Sequence, residues 1–221
     1  MNASSPPPPP GPPPAVVERR GEDGHLLETV SLDPAGGLEG PFVAYDGNGR
    51  PQMRLSCRAG QPDGPATVYR DGQPEVQLAF AAGHLDGTMR IFDAAGRVAF
   101  IVCYVAGQRH GLMECRSPES GQPLLTAEYR NDRLNGAWTE FHPDGSVRRR
   151  AQYRNDLLDG ETLVFHPDGQ PAERTVYAAG QVVAGPQKIV APAPPKAKAG
   201  WRRMLGVKES ALMKFPSKRD S

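Results

Sequence analysis

The sequence predicts an all-β protein: an elongated antiparallel meander of about six and a half repeated β-hairpins of about 24 residues each, between disordered tails. Three observations predict it. One glycine series runs Gly40, Gly64, Gly87, Gly111, Gly136, Gly160, Gly185; a second runs Gly49, Gly72, Gly96, Gly121, Gly145, Gly169, both in steps of 23 to 25 residues. Between turns the segments alternate apolar and polar side chains, as half-buried strands do. These segments are about six to eight residues long, which suits strands and leaves no room for an ordinary helix.

Along the chain, residues 1–14 hold eight prolines, so 1–17 is expected to be a disordered, extended polyproline spacer. The repeat domain follows over 26–187. In the first strand of each unit Leu125, Ala127 and Tyr129 share one face, and Cys57, Phe80, Tyr104, Tyr153 and Tyr177 take the Tyr129 place elsewhere. Stacked repeats turn these into a ladder of packed side chains.

The second strand is less regular. Tyr45, Tyr69, Phe92, Phe141 and Phe165 hold one slot, while Phe42, Met89 and Trp138 sit three residues earlier. Three apart is the wrong parity for one face, so either a bulge intervenes or both faces are partly covered.

Two turns join the strands. One carries glycine at its tip, as in Asp71-Gly72, Ala95-Gly96, His142-Pro143-Asp144-Gly145 and His166-Pro167-Asp168-Gly169. There proline presets φ and glycine takes the left-handed region. The other reads G-x-x-x-G or D-x-x-x-G, as in Gly83 to Gly87, Gly107 to Gly111, Asp132 to Gly136 and Asp156 to Gly160. The fourth unit breaks the pattern: Arg116 stands in the aromatic slot, and Gly111 to Gly121 is ten residues instead of nine. A bend is expected there, with Cys115 supplying the buried side chain.

Beyond the repeats, 188–199 is a semi-rigid Pro/Ala/Lys linker. In 200–216, Trp201, Met204, Leu205, Leu212 and Phe215 follow helical spacing, with Arg202, Arg203, Lys208 and Lys214 elsewhere around the wheel. A short basic amphipathic helix is one reading, with Trp201, Arg202, Arg203, Met204, Leu205 and Phe215 docking on a membrane or partner. An unstructured tail is the other, since so short a helix is marginal alone.

Several classes are excluded. No apolar run reaches about 18 residues, so no transmembrane helix is expected, and no secretory signal is readable at the N-terminus. Three cysteines without a C-x-x-C pair read as reduced thiols in a cytoplasmic protein. Residues 1–195 carry net −5 and residues 196–221 net +6, so the body is no nucleic-acid surface. No P-loop, zincin or nucleophile-elbow motif occurs, and neither an enzyme, a cofactor nor a small-molecule substrate is expected. His142 and His166 are equivalent in adjacent units; as metal ligands they would need Asp144 and Asp168 beside them, and a turn cassette copied with the repeat is the simpler reading. Cys103 and Cys115, half a repeat apart, read as structural thiols for want of a basic activator.

The pattern Tyr-x-x-(Asn/Gly/Asp)-x-x-x-x-Gly-x-(Trp/apolar)-x-x-(Phe/Tyr)-x-x-x-Gly resembles the MORN repeat, in the bacterial variant found in the YwqK-like antitoxin family. The resemblance runs from Leu26 to Gly185 and covers neither tail. It implies a non-catalytic protein-binding module, an antitoxin or immunity protein that neutralises a cognate toxin or effector. The residues suggest where such a partner would bind: Trp138, His142, Phe165 and His166, in the two most regular units, as aromatics exposed beside polar turns. The alternative is a scaffold in the cytoplasm, peripheral to the inner face of the membrane and held to anionic lipid by the basic C-terminal segment.

Overall fold

The computed structural model describes residues 13–185. Seventeen strands form one antiparallel sheet. They are β1 (Ala15–Arg20), β2 (Leu26–Leu32), β3 (Leu38–Tyr45), β4 (Pro51–Arg58), β5 (Gln61–Arg70), β6 (Gln73–Ala81), β7 (His84–Leu85), β8 (Gly87–Phe92) and β9 (Val98–Val105). Then come β10 (Gln108–Arg116), β11 (Pro123–Arg130), β12 (Arg133–Phe141), β13 (Val147–Arg154), β14 (Leu157–Leu158), β15 (Gly160–Phe165), β16 (Pro171–Ala178) and β17 (Gln181–Ala184). Each strand pairs with its neighbours in the chain. The short β7 and β14 are the first halves of interrupted strands, because β6 pairs with both β7 and β8, and β13 with both β14 and β15. The meander read from the glycine ladders is the fold. Among the described residues no helix is long and apolar enough to cross a membrane.

Register explains which side chains are buried. One unbroken cross-strand row runs Ala44, Met53, Val68, Val76, Ile91, Phe100, Cys115, Leu125, Glu140, Arg149, Val164, Glu173. Beside it Met89, Val102, Met113, Ala127, Trp138 and Ala151 form a second. Both rows lie on the covered face, where Val76, Ile91 and Ala151 are fully buried. Each such side chain is covered by its cross-strand and diagonal neighbours, the unit of sheet stabilisation. Toward the C-terminal end the first row turns polar, at Glu140 and Arg149.

A third row joins the first glycine ladder to the aromatic one. Gly40, Gly64, Gly87, Gly111, Gly136 and Gly160 stand opposite Cys57, Phe80, Tyr104, Tyr129, Tyr153 and Tyr177 of the following strand. These glycines are not turn residues, contrary to the G-x-x-x-G reading. They sit inside the second strands at positive φ, from 96° at Gly111 to 131° at Gly136, where the register slips and the ladder bulges. The tips themselves are two-residue turns such as Ala106-Gly107 and Asn131-Asp132, with both residues left-handed.

Adjacent units are stapled at these tips. Gly83 N donates to Pro62 O, Gly107 N to Leu85 O and Asp156 N to Leu134 O. A carboxylate reinforces each staple: Asp86 accepts from Ala106 N at 3.0 Å, and Asp156 from Leu134 N at 2.8 Å.

The parity problem of the second strand resolves as a bulge. At Tyr45, Tyr69, Phe92, Phe141 and Phe165 the register shifts by one residue on the partner strand. The slot therefore ends the ladder, and its side chains are half-buried.

One boundary moves. The sheet begins at Ala15, so residues 15–17 belong to a strand and not to a disordered tail, and the sheet extends before Leu26. Val17 and Arg19 pair with Val30 and Glu28, which draws the segment into the sheet. The expectations for 1–12, the linker 188–199 and the segment 200–216 lie outside the described residues.

Candidate functional site

The tips at Asp46–Arg50, Asp71-Gly72, Asp93–Arg97, Ser117–Gln122, His142–Ser146 and His166–Gln170 all fall on one edge of the sheet, because a meander returns every second turn to the same side. At His142 and His166 the histidine backbone closes the turn: Gly145 N donates to His142 O, and Gly169 N to His166 O. Asp144 Oδ1 accepts from Ser146 N at 2.8 Å and Asp168 Oδ1 from Gln170 N at 2.9 Å. Both aspartates thus serve their own turns. His142 Nε2 lies 3.2 Å from Phe165 O in the next unit, so the structure brings these two residues together. His166 is exposed and Phe165 half-buried on the same edge.

Trp138 departs from expectation. It is only 6% exposed and packs edge-on against Tyr153, with ring centroids 6.4 Å apart. Its other neighbour is the Arg149 guanidinium, 5.2 Å from the ring centroid. Lying on the covered face opposite Ala127 and Ala151, it is a core residue and not a surface aromatic.

A feature read from sequence only as a bend proves to be a cleft. At Arg116 the aromatic slot lacks its ring and the following turn is one residue longer. There the edge opens into a cleft of about 390 Å³ lined by Arg70, Glu75, Phe92, Phe100, Cys115 and Arg116 among others. The signal was present in the sequence, but register was needed to place these six together. Phe100 and Cys115 are direct cross-strand partners in its floor, while Glu75 is the bulge residue facing the Tyr69 slot.

Both lining arginines of the cleft are paired. Arg70 meets the buried Glu75, and Arg116 Nε lies 2.8 Å from Glu114 Oε1. Burial pushes the Glu75 carboxyl above its ordinary range, with the Arg70 charge opposing. Burial, helped by Glu114, likewise raises the Cys115 thiol. Asp93 is held low, first by the Arg97 backbone N–H that it accepts and then by the Arg97 side chain. Arg97 in turn reaches the carbonyls of Pro118 and Glu119, tying two neighbouring tips into one wall. Cys103, by contrast, lies on the opposite face from Cys115 and touches Thr88 Oγ1 at 3.8 Å.

Sheet, tips and cleft together define a tandem β-hairpin repeat protein with a polar, carboxylate-bearing turn edge. A family model described as the MORN repeat variant matches residues 134–155, which comprise most of β12, the intervening turn and all of β13. These residues thus carry a MORN-type repeat, in phase with the hairpins on either side. No curated protein matches the chain. Among solved structures, TarM aligns at 11% identity over 54% of this chain and 21% of that chain, with a TM-score of 0.25. A TarM mutant in complex with fondaparinux, alpha-GlcNAc-glycerol and UDP aligns at the same identity and coverage with a TM-score of 0.27. The chain spans about a fifth of either.

Proposed function

We propose that this chain is a non-catalytic protein-binding module of the cytoplasm, an antitoxin or immunity protein whose turn edge covers a basic patch on a toxin or effector. The observation that carries this reading is the edge itself. Phe165 and His166 crown one end of it, an apolar-floored cleft opens midway along it, and most of its tips carry a carboxylate. Interfaces of this kind concentrate their energy in a few aromatic and pocket residues. Arg70 with Glu75 and Arg116 with Glu114 are ion pairs, an arrangement suited to shape and charge recognition. The net −5 of residues 1–195 speeds encounter with a basic partner at low salt.

Co-expression with the product of the neighbouring gene tests the reading. The expected result is co-purification that is lost in Phe165→Ala/His166→Ala, while circular dichroism keeps its sheet signature. A neighbour that does not co-purify removes the antitoxin role; binding that survives both changes in a folded protein removes the site. The membrane-scaffold alternative has only the sequence of 200–216 behind it.

A further inference from the structure

The cleft at Arg116 is a place where the repeat expects an aromatic ring and this chain does not supply one. Every neighbouring unit fills the slot: Tyr69 and Phe92 before it, Phe141 and Phe165 after it. The cleft beside this slot, about 390 Å³, is at the small end of ligand pockets and suits one large side chain better than a cofactor. Its floor is apolar (Phe92, Phe100), and the guanidiniums of Arg70 and Arg116 stand at its lining. Guanidiniums in this protein do stack on rings: Arg109 over Tyr129 at 4.3 Å, Arg149 over Trp138 at 5.2 Å, Arg54 over Tyr69 at 5.9 Å.

We infer that the occupant is the chain's own C-terminal segment, with Trp201 inserted into the cleft and Arg202 and Arg203 against the carboxylates of the neighbouring tips. Reach allows it. From Ala184 to Trp201 is 17 residues, a length of chain that can span up to about 56 Å. The cleft strand β10 lies six strand spacings from β17, about 29 Å. Direction allows it too: β17 runs the same way as β10, toward the edge on which the cleft opens. Charge favours it, since residues 196–221 carry net +6 against net −5 for the rest. Tethering adds an effective concentration in the millimolar range, so a weak contact suffices to keep the cleft filled. Trp201 seated there is unavailable to a membrane or partner, and a partner that takes the cleft releases the tail. This inference goes beyond the proposed function and stands or falls apart from it.

Cys115 in the cleft lining reports occupancy. The full chain and its Trp201→Ala variant are labelled with N-ethylmaleimide and mapped by mass spectrometry, with half-buried Cys103 as internal control. Cys115 is expected to label about tenfold faster in the variant, the protection that millimolar tethering gives a contact of about 0.1 mM, while Cys103 is unchanged. In a Trp138→Phe background, Trp201 emission is expected to shift to the red when Arg116→Tyr refills the slot. Equal Cys115 rates overturn the inference. So does protection that grows with protein concentration, which assigns the cleft to a second copy. Trp201 emission that is solvent-like until anionic vesicles are added also overturns it, in favour of a membrane anchor.

Discussion

Gly136 stands directly opposite Tyr153 across the β12–β13 ladder, and the same glycine-to-ladder relation recurs in five further units. The glycine is required by its backbone: at φ 131° a Cβ would come within 2.9 Å of Glu128 Cβ. At Gly111, φ is 96° and the nearest atom to such a Cβ is Cys103 Cβ at 3.6 Å.

Gly136→Ala is therefore expected to destabilise by about 2–3 kcal/mol, and Gly111→Ala by about 1 kcal/mol, the cost of the left-handed backbone alone. Urea unfolding midpoints at constant slope check the order. Equal losses at the two sites would show that crowding against Glu128 is relieved by side-chain movement.

Tyr129 is 8% exposed, and the Arg109 guanidinium lies over its ring at 4.3 Å while also pairing with Asp132 at 2.9 Å. Tyr129→Ala should cost about 3 kcal/mol, as loss of a buried ring does, whereas Tyr129→Phe should cost under about 1 kcal/mol. Because repeat stability is nearest-neighbour, hydrogen exchange should quicken first in β10 and β12. A melting curve unchanged by Tyr129→Ala would remove the ladder from the core.

Arg149 is a buried cation: 8% exposed, facing the Trp138 ring, with Nη2 lacking a hydrogen-bond partner among the described residues. Replacing a poorly compensated buried charge by an apolar side chain of similar volume often stabilises. Arg149→Met is expected to raise stability by about 1 kcal/mol, and Trp138→Ala to lower it by about 3–5 kcal/mol. Thermal unfolding of both variants decides; a large loss in Arg149→Met would mean that the guanidinium stacking outweighs its desolvation.

Two carboxyls shift in opposite directions and predict opposite pH behaviour. Asp93, depressed chiefly by the Arg97 backbone N–H, contributes stability that is present above the unfolded value of about 3.9 and is lost as pH falls through its lower folded value. Glu75, raised by burial against the opposing Arg70 charge, contributes stability that is fully present below about 4.3 and is lost as pH rises through its higher folded value. Asp93→Asn should thus be less stable than the parent at pH 7, with the gap closing toward pH 3. Glu75→Gln should be more stable at pH 7, the gain disappearing in acid. Denaturation midpoints across that range would reveal either sign as wrong.

What is local and repeated in this protein can be read from its residues alone. A glycine every 24 residues or so, an alternating strand and a Pro-Asp-Gly tip each act within a few residues, so the hairpin period, the ladder of Cys57, Phe80, Tyr104, Tyr129, Tyr153 and Tyr177, and the H-P-D-G turns were legible without coordinates. Only the tertiary structure decided what depends on register between strands. Trp138 and Phe165 look alike in sequence, yet one is core and the other lies at the edge, because the ladder passes through the first and slips by one residue at the second. β1 carries no glycine signal and joins the sheet only through its pairing with β2. Arg116 reads as a flaw in one strand; it becomes the wall of a cleft because the strands beside it, β6 and β8–β9, bring Glu75, Phe92 and Phe100 from as far as 41 residues away to the same edge.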